Sequence, residues 1–299
     1  FMLVREGNKI RFRLNKSLGF FGGLATCMPK DTHKLMNRFM VFILGGPVAS
    51  LVFALLMGLA LYVSKADVTQ VEGFLTDFFF KSSLLVSGGI FLTSIIPMQS
   101  AGFYSDGARV LQLLRGGAEA KINTTLMTTM AQLMAGTRPS QLNTALLEEA
   151  IALPIQSFFK SYCHYYLYLA YFDANELSKA DVHLENALTY KEQLPKFYPA
   201  LLYLEKAFFV AVTERNALAA RTYFTQAKRS NLIPKHTFLK AEAAVLWAEN
   251  KPEEAHERAQ KALTTLKKSN EQGAAAFEKE WLEKITNSVI GLPHQIRHS

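Results

Sequence analysis

Two residue types are scarce in this chain, and each scarcity excludes something. Its 299 residues hold only two cysteines, Cys27 and Cys163, too few for a disulfide scaffold. Charge is scarce in one long stretch. Residues 39–105 carry five charged side chains, Lys65, Asp67, Glu72, Asp77 and Lys81, whereas residues 106–299 carry 43. A disordered or fibrous chain is excluded by an overall composition of 49% hydrophobic and 19% charged residues. No secretory signal is visible at the start, where no apolar core follows a short basic segment.

What is present divides by region. Residues 1–38 form a basic segment with eight Lys/Arg (Arg5, Lys9, Arg11, Arg13, Lys16, Lys30, Lys34, Arg38) against Glu6 and Asp31, most of the net charge of +8. Lys9 to Leu14 alternates as a strand does and Gly22-Gly23 marks a turn, so β-hairpin character is expected beside a membrane. Residues 39–117 read as a membrane domain. Phe39 to Val63 is 25 residues without a charge, long enough as a helix to cross a hydrocarbon core of about 30 Å. A second span is expected over about 78–97, with Lys81 snorkelling or pairing with Asp77 and with Gly88-Gly89 allowing close approach of another helix. The basic bias places both ends of this pair in the cytoplasm and makes the protein a multi-pass membrane protein. Basic residues next to a span serve topology and headgroup contact, so no nucleic-acid partner is assigned to Arg11-Phe12-Arg13.

Residues 118–150 read as a helical connector and 151–299 as a helical domain. Small residues recur at Ala180/Leu184/Ala187, Ala220/Phe224/Ala227 and Ala255/Ala259/Ala262, spaced by 40 and then 35 residues. Each set follows another helical stretch, Tyr162–Phe172, Ala200–Thr213 and Thr237–Glu249, and Pro195 and Pro234 follow the first two sets. This pattern resembles degenerate tetratricopeptide repeats, which implies a solenoid-like cytoplasmic domain whose groove takes an unidentified protein or peptide partner. The competing architecture is an irregular helical bundle. The run from Tyr162 to Phe172 reads as aromatic core and Cys163 as a buried apolar residue. The fold class expected for the whole is mainly α: polytopic membrane helices, a short juxtamembrane β segment and a helical repeat domain.

Two clusters carry candidate chemistry. Gly45-Gly46-Pro47-Val48-Ala49-Ser50 is a breaker cluster inside the first span, and Ser94-Ile95-Ile96-Pro97 is followed by Ser105-Asp106-Gly107. An aspartate at the end of a membrane segment marks a functional position by default. The competing assignment is a helix N-cap on Ser105 or Asp106.

Together the clusters resemble the site-2 protease family of intramembrane zinc metalloproteases, over roughly residues 1–117. That family has Gly-Pro-x-x-Asn in one span and Asn-x-x-Pro followed by Asp-Gly in a later one. Gly46-Pro47 matches the first motif, and Pro97 with Asp106-Gly107 the second. Ser50 and Ser94 stand where the family has Asn, Ala108 where a second Gly is common, and the interval from Pro97 to Asp106 is longer.

The resemblance implies that Asp106 is a zinc ligand and that Gly46, Pro47, Ser50, Ser94, Pro97 and Gly107 shape the substrate cleft. It also implies a membrane-protein substrate and a bacterial inner-membrane location. The family's remaining ligands lie in a His-Glu-x-x-His helix, where zinc lowers the pKa of a bound water to about 7 for attack on a peptide carbonyl. No such motif occurs here. His256-Glu257 lacks the second histidine, His294 and His298 lack the glutamate, and Cys27 with His33 supplies only two ligands. The chain begins at Phe1. It is therefore expected to be a truncated, inactive piece of a protease lacking that upstream helix. The alternative is a membrane-anchored helical-repeat adaptor without catalytic activity.

Overall fold

The computed structural model describes residues 2–6, 9–13, 35–64, 71–100, 103–195, 197–267, 269 and 272–290. The expected turn at Gly22-Gly23, the Cys27/His33 pair, and His294 and His298 lie outside these residues. The protein is mainly helical. Strands β1 (Met2–Glu6) and β2 (Lys9–Arg13) pair antiparallel, with Met2 opposite Arg13 and Glu6 opposite Lys9.

Helices α1 (Leu35–Ser64) and α2 (Val71–Ile95) are both long and apolar enough to cross a membrane. They pack against each other, with Gly58 facing the Leu84 side chain. Their remaining surface is apolar and uncovered: no residue of α2 is buried, and Leu59, Phe78 and Leu85 stand largely exposed. A core helix of a soluble protein would bury such side chains; an uncovered apolar surface of this size calls for lipid or protein. Helix α2 begins seven residues before the expected start at Phe78 and so includes Glu72, Asp77 and Lys81. Asp77 and Lys81 form an i,i+4 ion pair of 2.9 Å, which lets the helix carry both charges. It ends at Ile95 because Ile96 precedes Pro97, whose ring disfavours helical backbone in the preceding residue. Nothing among the described residues packs on Gly88 or Gly89.

Strands β3 (Gln99–Ser100) and β4 (Phe103–Tyr104) then form a small hairpin, followed by α3 (Asp106–Arg115) and α4 (Gly117–Met134). A single 3-10 turn over Pro139–Gln141 leads into α5 (Thr144–Ala152). Beyond it stand three helix pairs: α6 (Phe159–Asp173) with α7 (Leu177–Leu188), α8 (Tyr198–Thr213) with α9 (Ala217–Gln226), and α10 (Lys235–Ala248) with α11 (Pro252–Leu266). Helix α12 (Gln272–Ile290) follows.

The pairs share one turn. Asn175, Arg215 and Asn250 each adopt positive φ (61°, 54° and 58°) two residues before the second helix of their pair. In the first and third turns an amide bonds back five residues, Glu176 to the Tyr171 carbonyl and Lys251 to Leu246, as in a Schellman cap. The turn residues repeat at the same 40- and 35-residue intervals as the small-residue sets. Ala180, Ala187, Ala220, Ala255, Ala259 and Ala262 are fully buried where the paired helices meet. Ala227 lies just past the end of α9. Cys163 is fully buried too, and burial pushes its thiol up to about 12.

Charge lies inside this array. Lys240 on α10 donates to Glu205 on α8 (2.8 and 3.0 Å) and to Glu278 on α12 (2.7 Å), and the Tyr168 hydroxyl on α6 donates to Glu205 (3.3 Å). Lys240 and Glu205 are each 1% exposed. Burial opposes the ammonium charge, but the two carboxylates outweigh it and raise the Lys240 pKa. Lys240→Met leaves both carboxylates buried without a cation and is expected to cost about 3–5 kcal/mol, measurable as a lower denaturation midpoint in detergent.

His164 and His183 face each other with Nδ1 atoms 3.0 Å apart, so one donates and the other accepts. Burial, with His183 and Lys160 adding, pushes His164 down to about 4; burial lowers His183, partly opposed by Glu148. Unfolded histidine titrates near 6.5, so between about pH 6.5 and 4 the unfolded chain binds protons that the folded chain refuses. Stability is expected to fall by about 1.4 kcal/mol per pH unit as pH drops through that window. His164→Gln should flatten this part of the melting-temperature profile.

Candidate functional site

The site is assembled around the loop from α2 to α3. Ser105 is the N-cap of α3 and its hydroxyl serves three partners. It donates to the Ile96 carbonyl at 2.7 Å and accepts from the Met98 amide at 3.0 Å and the Ala108 amide at 3.2 Å. The Ser105 amide also donates to the Met98 carbonyl at 2.9 Å. The end of α2 is thereby tied to the start of α3, and the β3–β4 hairpin projects as a closed excursion between them. That excursion lies between Pro97 and Asp106 and leaves the two ends of the loop tied together.

Because Ser105 caps the helix, Asp106 is free of that duty. It occupies the first turn of α3, where the helix dipole favours a negative charge. Its side chain makes no hydrogen bond among the described residues. A methyl group built on Gly46 would lie 3.9 Å from Asp106 Oδ2, so the carboxylate faces the bare turn of α1 that carries Gly46-Pro47. Burial raises the Asp106 pKa, with Arg109 opposing. The structure thus brings together Gly46 and Asp106, which are distant in sequence.

Gly107 serves packing. A Cβ there would lie 1.8 Å from the Ile95 carbonyl oxygen, a position only glycine can hold. Ser50, one turn beyond Gly46, and Ser94, beside Ile95, are half-buried and make no side-chain hydrogen bond among the described residues. No distance ties either of them to Asp106.

Two residues join the site that sequence analysis had not singled out. Arg109 lies one helical turn from Asp106, with its guanidinium 5.9 Å from the centre of the Phe39 ring of α1. Tyr104 stacks on Phe158 and Phe159 at 5.9 and 5.8 Å, which fixes β4 to the start of the helix array. The i,i+3 spacing of Asp106 and Arg109 was the only available signal for the first. An adjacent aromatic pair, Phe103-Tyr104, in a short loop offered none for the second.

One aspartate fits one ligand position of a metal site. Among the described residues no three His, Cys, Asp or Glu side chains cluster. The His256 ring is committed elsewhere, with Nδ1 3.3 Å from the Thr286 carbonyl and Nε2 3.0 Å from Gln260 Nε2. Comparison with family models, with curated proteins and with solved structures finds no match for the chain.

Two substitutions separate the roles in the loop. Ser105→Ala removes a cap and two further bonds and is expected to cost about 1–2 kcal/mol. Gly107→Ala forces α3 away from Ile95 and is expected to cost about 3 kcal/mol or more. Thermal melts in detergent, with cysteine cross-linking between α1 and α3, would order the two.

Proposed function

We propose that this chain is part of an intramembrane zinc metalloprotease of the site-2 class, in which Asp106 is one zinc ligand. The observation that carries the proposal is the convergence of the Gly46-Pro47 turn with an aspartate whose carboxylate makes no hydrogen bond among the described residues. Gly46 leaves room beside the carboxylate, Pro47 interrupts the backbone bonding of α1 nearby, and Gly107 holds α3 against the end of α2. Ser50, Ser94 and Pro97 line the approach for substrate backbone in this assignment. The two further ligands and the general base belong to a His-Glu-x-x-His helix that this sequence does not contain. Zinc held by the complete set supplies a water acidic enough to attack a peptide bond.

The same proposal sets the topology. The basic residues before α1, and Arg109, Arg115 and Lys121 after α2, favour the cytoplasmic side, with the short loop between the helices outside. The β1–β2 hairpin then lies at the inner membrane surface. The helix pairs form a cytoplasmic, tetratricopeptide-like domain that recruits a membrane-protein substrate or a regulator, and their recurring turns support that assignment.

The test is made on the parent gene in membranes. Asp106→Asn is expected to reduce cleavage of a membrane-embedded substrate to the background of a catalytically dead control, with insertion and abundance unchanged. Cleavage that survives Asp106→Asn would overturn the ligand assignment. A parent without any His-Glu-x-x-His helix would make the protein a membrane-anchored adaptor instead.

A further inference from the structure

The pairwise helix array does not present an open groove. Helix α12 lies across it and touches all three leading helices. Phe277 meets Phe172 of α6 edge-on at 5.1 Å, Trp281 stacks on Phe172 at 5.5 Å and meets Phe208 of α8 at 6.2 Å, and Glu278 accepts from Lys240 of α10. At its start, Gly273 packs so closely on the Thr137 carbonyl that a Cβ would lie 1.8 Å from it. The helix is amphipathic: Phe277, Glu278, Leu282 and Ile285 face inward, and Lys279 and Glu283 face out.

Three features distinguish this contact from ordinary core. The face beneath α12 is electrostatically complete without it, since Lys240 pairs with Glu205 and Glu205 also accepts from Tyr168. Glu278 brings a second carboxylate to the one lysine. Its Oε2 is buried without a hydrogen bond, with His236 Nε2 3.7 Å away, and an unsatisfied buried oxygen opposes closure. A further ion pair to α12, Arg138 with Glu280 through two parallel bonds of 2.5 and 2.6 Å, lies at the rim with both side chains more than a third exposed, where water can replace either partner. Arg138 also pairs with Asp173 at 2.8 Å and so stays anchored without α12.

We propose that α12 is an exchangeable, built-in ligand of this face. The face accepts in its place an amphipathic helix of a partner protein bearing the pattern aromatic, acidic, two variable residues, aromatic, as in Phe277-Glu278-x-x-Trp281. The two rings fill the site between Phe172 and Phe208, and the carboxylate answers Lys240. The proposal stands apart from the Asp106 assignment, and its test involves no proteolysis.

The test uses the full chain in detergent micelles and a fluorescent peptide of residues 272–290, followed by anisotropy. The wild-type chain is expected to bind it weakly, because the tethered α12 competes at high effective concentration. The Phe277→Ala/Trp281→Ala chain is expected to bind at least ~10-fold more tightly. A peptide carrying Glu278→Lys is expected to lose that gain. Equal affinity of both chains, no binding by a double variant that keeps wild-type helicity, or indifference to Glu278→Lys would overturn the proposal. Should the double variant fail to fold, hydrogen exchange of the wild-type chain decides. Amides of α12 are expected to exchange ahead of those in α8 and α10; exchange of all three at one common slow rate overturns it.

Discussion

The candidate site depends on the hydroxyl of one serine. Ser105 Oγ is the meeting point of the end of α2, the closed β3–β4 excursion and the first turn of α3. Each of its three bonds satisfies a backbone group that the proline break or the helix start would leave open. Once it takes the capping role, the neighbouring aspartate makes no side-chain hydrogen bond among the described residues, and its carboxylate faces Gly46. An aspartate in the capping position would have spent its oxygens on backbone amides. Division of labour between adjacent residues is what makes Asp106 chemically available.

A different economy governs the helix array. The three pairs repeat a turn whose central residue takes left-handed backbone, and two of the three use asparagine, which tolerates it. The third uses Arg215, whose guanidinium lies over the Trp247 ring. A cation on an aromatic face offsets the backbone cost that a larger side chain carries there. The Lys240 cluster then ties α6, α8, α10 and α12 through one buried ammonium.

Much of this was legible in the sequence, and the limits have physical causes. The two apolar helices announce themselves by absence of charge, a signal that survives any detail of packing. The helix pairs were visible because alanine spacing reflects close helix contact. The convergence of Gly46 and Asp106 was legible only through the paired motifs, since the 59 intervening residues carry no local sign of it. The start of α2 was placed too late because Glu72 and Asp77 interrupt the apolar run, although the pairing of Asp77 with Lys81 was itself legible from their spacing. The fold-back of α12 was hidden, since Phe277 and Trp281 on an amphipathic helix do not say which surface they will meet. Lys240, Glu205 and Glu278 lie 35 and 38 residues apart and read singly as solvated charges.

The stacking of Tyr104 on Phe158 and Phe159 carries a mechanical consequence. Tyr104 and Asp106 are separated by Ser105 alone, so a displacement of the ring surface at the head of α6 reaches the carboxylate through two peptide units. The helix array and the apolar helix hairpin are therefore joined through a short segment whose aromatic anchor and carboxylate stand two residues apart.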